Sequence, residues 1–151
     1  ERFIRNGCEV VYATAPGFTD MIRPFVAQYP NITFALQNAF VAPSFAPDRL
    51  VAYAAKPHSK WYLAGIAAAQ HRRQAIGFIA AFLTVPEVAA CALAFVAGVR
   101  SVHPNEIVNV IEIGNWYDPA ADRVAAKALH EILGCDVVGH YGDSPAVSEY
   151  A

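Results

Sequence analysis

The segment Gly114-Asn115-Trp116-Tyr117-Asp118-Pro119 sets two large aromatics side by side between a short apolar run and a proline-led helix. In such a loop only one of the two rings packs inward easily, and the other projects. An exposed aromatic plane suits a flat, ring-shaped ligand, because burial and stacking both favour it. Trp116 could equally cover the N-terminus of the following helix, and the sequence leaves both roles open. His140-Tyr141-Gly142-Asp143-Ser144-Pro145 is a second such segment. Gly142 permits a close backbone approach. Asp143 either accepts hydrogen bonds from ligand hydroxyls and amines or places charge at a helix N-terminus. In a third segment, Pro16-Gly17-Phe18-Thr19-Asp20, Phe18 offers another aromatic face and Asp20 another acceptor, with the same structural alternatives.

The motifs of the common enzyme classes are absent: no GxSxG elbow, phosphate loop, GxGxxG turn or HExxH. His58, His71, His103 and His130 fall in polar or helix-end contexts. His140 ends a strand and is the one histidine placed to meet a ligand. Cys8, Cys91 and Cys135 are widely separated in apolar surroundings and read as small buried hydrophobes, not as a metal set. No cofactor, metal or catalytic residue is expected. The cluster His71-Arg72-Arg73 reads as a helix C-terminus complementing the macrodipole, not as a phosphate site.

The elements that position these loops alternate. Short, nearly continuous apolar runs at 9–13, 32–36, 75–80, 107–113 and 136–140 read as strands buried on both faces of a parallel sheet. Helical stretches at 19–28, 60–72, 86–100 and 119–133 lie between them, which predicts an α/β architecture with right-handed crossovers. Thr84-Val85-Pro86-Glu87 has the form of a capping box. Asp118-Pro119 and Ser144-Pro145 set a capping side chain before a helix-starting proline, and Thr19-Asp20 plays the same part earlier. Each strand thus runs through a short loop into a helix, so the loops gather at the carboxyl edge of the sheet, where open α/β folds bind ligands. From Asn38 to Ser59 no clean period exists, and Pro43, Pro47 and Pro57 punctuate the stretch. It reads as a connection between two lobes.

Of the 151 residues, 56% are hydrophobic and 16% charged, with a formal net charge of −2. That excludes disorder and leaves no basic excess for a nucleic-acid partner. The richest apolar region, 75–99, is broken by Pro86-Glu87 and is no membrane span. No signal peptide is visible, but the chain begins at Glu1 inside an apparent helix closed by Gly7, and it stops just after a helix start at Pro145. Both ends read as cuts through a two-lobed protein of about twice this length.

Ordered blocks along nearly the whole chain carry a resemblance. They include Tyr62-Leu63-Ala64-Gly65-Ile66, 76–82, Pro86-Glu87-Val88 and Arg100-Ser101-Val102, then 115–119, Gly134-Cys135-Asp136-Val137-Val138, and Asp143-Ser144-Pro145-Ala146. The chain resembles the basic membrane protein (BMP) family of substrate-binding lipoproteins of ABC transporters, and within it the purine nucleoside receptors. The resemblance implies a type I periplasmic-binding-protein fold, with doubly wound parallel sheets in two lobes, both incomplete in this piece. Residues 1–50 would be part of the N-terminal lobe, 51–58 the interlobe crossover and 59–151 part of the C-terminal lobe. It implies a non-enzymatic receptor that delivers a nucleoside-like ligand to a permease. Such a receptor sits in the cell envelope, periplasmic or held to the outer face of the plasma membrane by a lipid anchor outside this piece. The base would lie between aromatics of the two lobes, with acidic and amide groups on the ribose. The matching positions are Phe18, Asp20, Trp116 and Asp143, with Asn115 and Asp118 in the same motif. Leu93 and Arg49 stand where the family usually carries Asn, and Pro24 sits inside a helix.

Two further readings are a sensory module built on the same lobes and a nucleoside-processing α/β enzyme using Asp118 or Asp143 as acid or base. On the receptor reading, the 151-residue piece alone binds ligand poorly and exposes the apolar strand at 10–13 as an unpaired edge. Titration calorimetry and gel filtration check this; a soluble, monomeric, ligand-competent piece would contradict it.

Overall fold

The structure is a computed structural model, and it describes residues 1–37 and 48–151. The chain divides into two compact units, Glu1–Lys56 and Pro57–Ala151.

In the first unit a short helix α1 (Arg2–Arg5) ends at Asn6, with Gly7 following at φ 83°. Strand β1 (Val10–Ala13) leads through a single 3-10 turn, Pro16–Phe18, into helix α2 (Thr19–Gln28) and strand β2 (Thr33–Gln37). Strand β3 (Leu50–Tyr53) completes a parallel sheet of order β1-β2-β3. The middle strand is the buried one: Phe34 and Leu36 pack with Ala13, Val26 and Leu50, and Ala35 between them is buried as well. Tyr12 on β1 and Val51 and Tyr53 on β3 stay exposed.

The stretch read as structureless therefore contains a strand. Leu50–Tyr53 is too short to show a period of its own, and it is held by pairing Leu50 to Phe34 and Val51 to Ala35. Pro43 and Pro47 lie outside the described residues, and Pro57 precedes the next helix. The start of α2 also differs from expectation. Neither Thr19 nor Asp20 is the N-cap; Phe18 is, without a side-chain cap. Pro24 falls beyond the first turn, so α2 lacks the hydrogen bond its N–H would have given.

The second unit runs α3 (His58–His71), β4 (Ala75–Ala80), α4 (Pro86–Val102), β5 (Val108–Glu112), α5 (Pro119–Lys127), β6 (Cys135–Tyr141) and α6 (Ala146–Tyr150); a π turn, Ala128–Ile132, extends α5. Its sheet is parallel with order β5-β4-β6. Helices α3 and α4 cover one face, where Ala68, Ile76, Phe78, Val88, Phe95 and Val99 form a core. Helices α5 and α6 cover the other around Ile79, Ala126, Leu129, Cys135 and Val147. This is the doubly wound arrangement expected from the alternation of elements.

The remaining structural expectations resolve here. Thr84 does not cap α4. Pro86 takes the first helical position, so the N-cap falls on Val85, which is extended as a residue before proline must be. Arg72, just past α3, pairs with Glu106 at 2.6 Å, so the basic cluster is structural. Cys91 and Cys135 are buried, and burial pushes both thiols up; Cys8 is half-buried. Among the described residues, no helix is long and apolar enough to cross a membrane.

Helices α3 and α4 approach backbone to backbone. A Cβ on Gly98 would run into the carbonyl oxygen of Tyr62, and one on Gly65 into that of Phe95. A helical Gly→Ala change normally gains up to ~1 kcal/mol. Here overpacking against rigid backbone reverses the sign, and Gly98→Ala is expected to destabilise by about 1–3 kcal/mol in urea unfolding. A stabilised variant would show that the two helices can move apart freely.

Candidate functional site

All three strands of the second unit point their carboxyl ends toward one edge, and three loops meet there. The loop after β4 carries Phe82, the loop after β5 carries Asn115 to Asp118, and the loop after β6 carries Asp143. The sheet's hydrogen bonding continues into them. Ala81 N–H donates to the Tyr141 carbonyl, and Ile113 and Gly114 N–H donate to the Ala80 and Ala81 carbonyls, each at 2.8 Å. Gly114 has φ 75°, the left-handed region that a side chain disfavours, and it turns the chain out of the sheet. Two cross-ties follow, one between two loops and one from a loop to the end of β5. Asp143 N–H donates to the Trp116 carbonyl at 2.8 Å. Leu83 N–H donates to Glu112 Oε1 at 2.9 Å.

Of the adjacent aromatics, Trp116 is the one that packs. Its ring meets Phe82 edge-on at 5.6 Å and lies 6.4 Å from Tyr141, yet it remains 39% exposed. Tyr117 projects further, at 60% exposed. Beneath Trp116 the aromatic contacts continue inward. Tyr141 lies 5.6 Å from Trp61, which packs on Phe78 and Phe95. The Tyr141 hydroxyl donates to Glu87 Oε1 at 2.8 Å. Burial, reinforced by the bond to Glu87 and its charge, pushes the phenol well above its ordinary value, so it stays a donor at neutral pH.

Asn115, Trp116, Asp118 and Asp143 thus share one edge. Asn115 Oδ1 accepts from Tyr117 N–H at 3.3 Å, shaping the loop. Asp118 Oδ1 accepts from Ala121 N–H at 3.0 Å, so one carboxylate oxygen is engaged as the expected N-cap of α5. At α6 the expectation shifts by one residue: Pro145, not Ser144, is the N-cap, and the Ser144 Oγ accepts from Ala146 N–H just ahead of the helix. Phe18 and Asp20 belong to the first unit, at the 3-10 turn and α2 start after β1. Phe18 is 42% exposed, and Asp20 lies 3.7 Å from Arg23.

His140 is not turned to this edge as its place at a strand end suggested. It shares the sheet face with Val138, and its Nε2 lies 3.5 Å from Oδ1 of the buried Asp122 on α5. Alternation along the strand explains this: Tyr141, not His140, takes the opposite face with Val137. A concavity of about 630 Å³ lies on the His140 face, lined by Ala126, Cys135, Val138 and Tyr150. It is remote from Trp116 and does not include the aromatic loop. The sequence marks Glu87 only as part of a capping box and gives Phe82, Glu112 and Tyr141 no role of their own at this edge. Period two read back from Val137 would have paired Tyr141 with the α3/α4 face, but nothing in the sequence couples Glu87 to it.

Comparison with known proteins follows from the whole chain. The model of the Bmp family, described as ABC transporter substrate-binding protein PnrA-like, matches residues 1–151. The chain is 28% identical over 151 residues to a purine-binding protein of Brucella abortus, covering 100% of this chain and 42% of that one. It is 31% identical over 147 residues to a Haloferax volcanii protein named for ABC transporter glucose binding, covering 97% and 36%. The chain therefore spans less than half the length of these relatives. A solved solute-binding protein of an ABC transporter system from Aeropyrum pernix superposes with a TM-score of 0.81 at 17% identity, over 98% of this chain and 44% of that one. That likeness shows the fold.

The cap on α5 sets the exit of the aromatic loop. Asp118→Ala is expected to cost about 1 kcal/mol in chemical denaturation, and Asp118→Asn much less, since the amide oxygen still accepts from Ala121 N–H. Equal losses in both would mean that charge, not the cap, is what matters.

Proposed function

The chain belongs to the Bmp family of PnrA-like ABC transporter substrate-binding proteins, and on that premise we propose that the protein captures a nucleoside-like solute and hands it to an ABC permease. The observation that carries this is the braced aromatic edge. Trp116 rests on Phe82 and Tyr141, keeps an exposed portion, and holds Asp143 beside it through its own carbonyl. A planar base gains from stacking on the indole, while Asp143 and Asn115 supply acceptors for ribose hydroxyls or ring amines. Phe18 and Asp20 are proposed as ligand contacts on the same chemical grounds, an aromatic face and an acceptor. The name of the Brucella relative supports a purine ring as the ligand's core.

A binding role without turnover also agrees with the chemistry of the edge. One Asp118 oxygen is held by Ala121 N–H, and His140 is held by Asp122 on the other sheet face. We place the protein outside the cytoplasm, periplasmic or anchored to the outer face of the plasma membrane, as the delivery of a solute to a permease requires.

Trp116→Ala in the intact protein is expected to weaken binding of a purine base or nucleoside by roughly 1–3 kcal/mol in titration calorimetry, from lost stacking and burial. The panel includes adenine, guanine, adenosine, inosine and glucose. Unchanged affinity removes Trp116 from the site, and preference for glucose over every purine overturns the ligand class. Turnover of a nucleoside that disappears in Asp143→Asn would replace the receptor with an enzyme.

A further inference from the structure

The Trp116 ring does not reach its place by its own loop alone. Beneath it lies Tyr141, the last residue of β6, whose ring also packs on Trp61. Its hydroxyl is tied to Glu87, which sits in the first turn of α4. Its carbonyl is tied to Ala81 N–H, at the head of the loop that supplies Phe82. The chain then continues through Gly142 to Asp143, whose N–H returns to the Trp116 carbonyl. Tyr141 is thus the residue at which α4, all three edge loops and the exposed indole are linked.

We propose that Tyr141, locked by Glu87, is a positioning residue for ligand binding: the Tyr141–Glu87 hydrogen bond fixes the ring on which Trp116 rests. Without this bond a tyrosine ring at a strand end turns about χ1 and χ2, and the indole above it loses a fixed floor. With the bond, the ring's far end is pinned to a helix that packs along α3 and the sheet core. Glu87 serves as an acceptor only, so an amide oxygen can replace it. The phenol, neutral at physiological pH in any case, is pushed further up by burial and by Glu87. Preorganisation of this kind raises affinity by reducing the ordering required at binding. Trp116 and Asp143 would touch the ligand, whereas Tyr141 and Glu87 act through them.

The inference rests on the receptor reading, and the experiment separates the two. In the intact protein, Tyr141→Phe and Glu87→Ala are each expected to lower the affinity for the best-bound purine about tenfold. Glu87→Gln retains affinity within about twofold. The double variant Tyr141→Phe/Glu87→Ala is no weaker than the worse single variant, as members of one bond must behave. A spectroscopic arm needs no ligand. Trp61 is half-buried and Trp116 exposed, so the Trp116 share of acrylamide quenching is taken as the difference between each protein and its Trp116→Phe counterpart. Quenching rises in Tyr141→Phe and Glu87→Ala and returns in Glu87→Gln. Additive losses in the double variant, or unchanged quenching in the singles, would overturn the positioning role. If the unmodified protein binds no purine, the receptor reading fails, and the quenching series alone decides whether Tyr141 holds Trp116.

Discussion

The second unit depends on β4 being buried on both faces. Ile76, Phe78, Ile79 and Ala80 have no exposed surface. A strand in that position needs a hydrogen-bonded neighbour on each side and a helix layer above and below, and parallel crossovers are the economical way to supply all four. β5 and β6 take the two flanks, α3 and α4 one face, α5 and α6 the other. Small residues set how closely the layers approach. Gly77 leaves room for Leu129 on one face, while Gly65 and Gly98 let α3 and α4 meet through their backbones. Once the strands are parallel, every strand-to-helix loop must emerge at the same edge. The aromatic site is therefore a consequence of how the core is buried.

Clustering alone would leave three mobile loops. What makes the edge a platform is that each loop is tied to another loop or to a neighbouring strand or helix. Ladder bonds extend past the strand ends at Ala81, Ile113 and Gly114, and the Asp143–Trp116 bond joins the loops after β5 and β6. The Glu112 carboxylate holds the Leu83 N–H of the loop after β4, and Asp118 fixes the exit into α5. Each bond contributes only about 1 kcal/mol. Together they remove the loop freedom that a ligand would otherwise have to freeze. An indole can then remain partly exposed in a fixed orientation, where an isolated loop tryptophan would collapse onto the nearest apolar surface.

The sequence makes the alternation of strands and helices legible because β4, β5 and β6 are apolar runs bounded by Gly, Pro and capping residues. Ala75–Ala80 and Thr19–Gln28 emerge with the boundaries expected of them, and Asp118 caps α5 as its spacing before Pro119 indicates. Leu50–Tyr53 escapes notice because four residues carry no period, and its strand character comes wholly from pairing with β2. Thr84 looks like a cap but loses that place to the steric effect of Pro86 on Val85. The site divides along the same line. Trp116 and Asp143 stand out as residue types in loops that the fold brings to one edge. The contacts among Tyr141, Glu87 and Phe82 join elements separated in sequence and become visible only once the chain is folded.

The acidic groups at this edge look redundant until their partners are traced. Glu87 lies in the first turn of α4 and Asp118 caps α5, where the helix dipoles favour negative charge, while Glu112 ends β5 and Asp143 lies in the loop before α6. Three of the four have a structural donor: the Tyr141 hydroxyl for Glu87, Leu83 N–H for Glu112 and Ala121 N–H for Asp118. Asp143 is the one whose carboxylate has no hydrogen-bond partner among the described residues, although its backbone N–H is held. A carboxylate fixed through its main chain and left unpaired at its head is poised for a donor arriving from outside. On the proposed receptor reading, this carboxylate is the acceptor offered to a ligand's hydroxyls or amines beside Trp116. The indole and Asp143 are joined by one hydrogen bond, from Asp143 N–H to the Trp116 carbonyl, so the loops after β5 and β6 present them together.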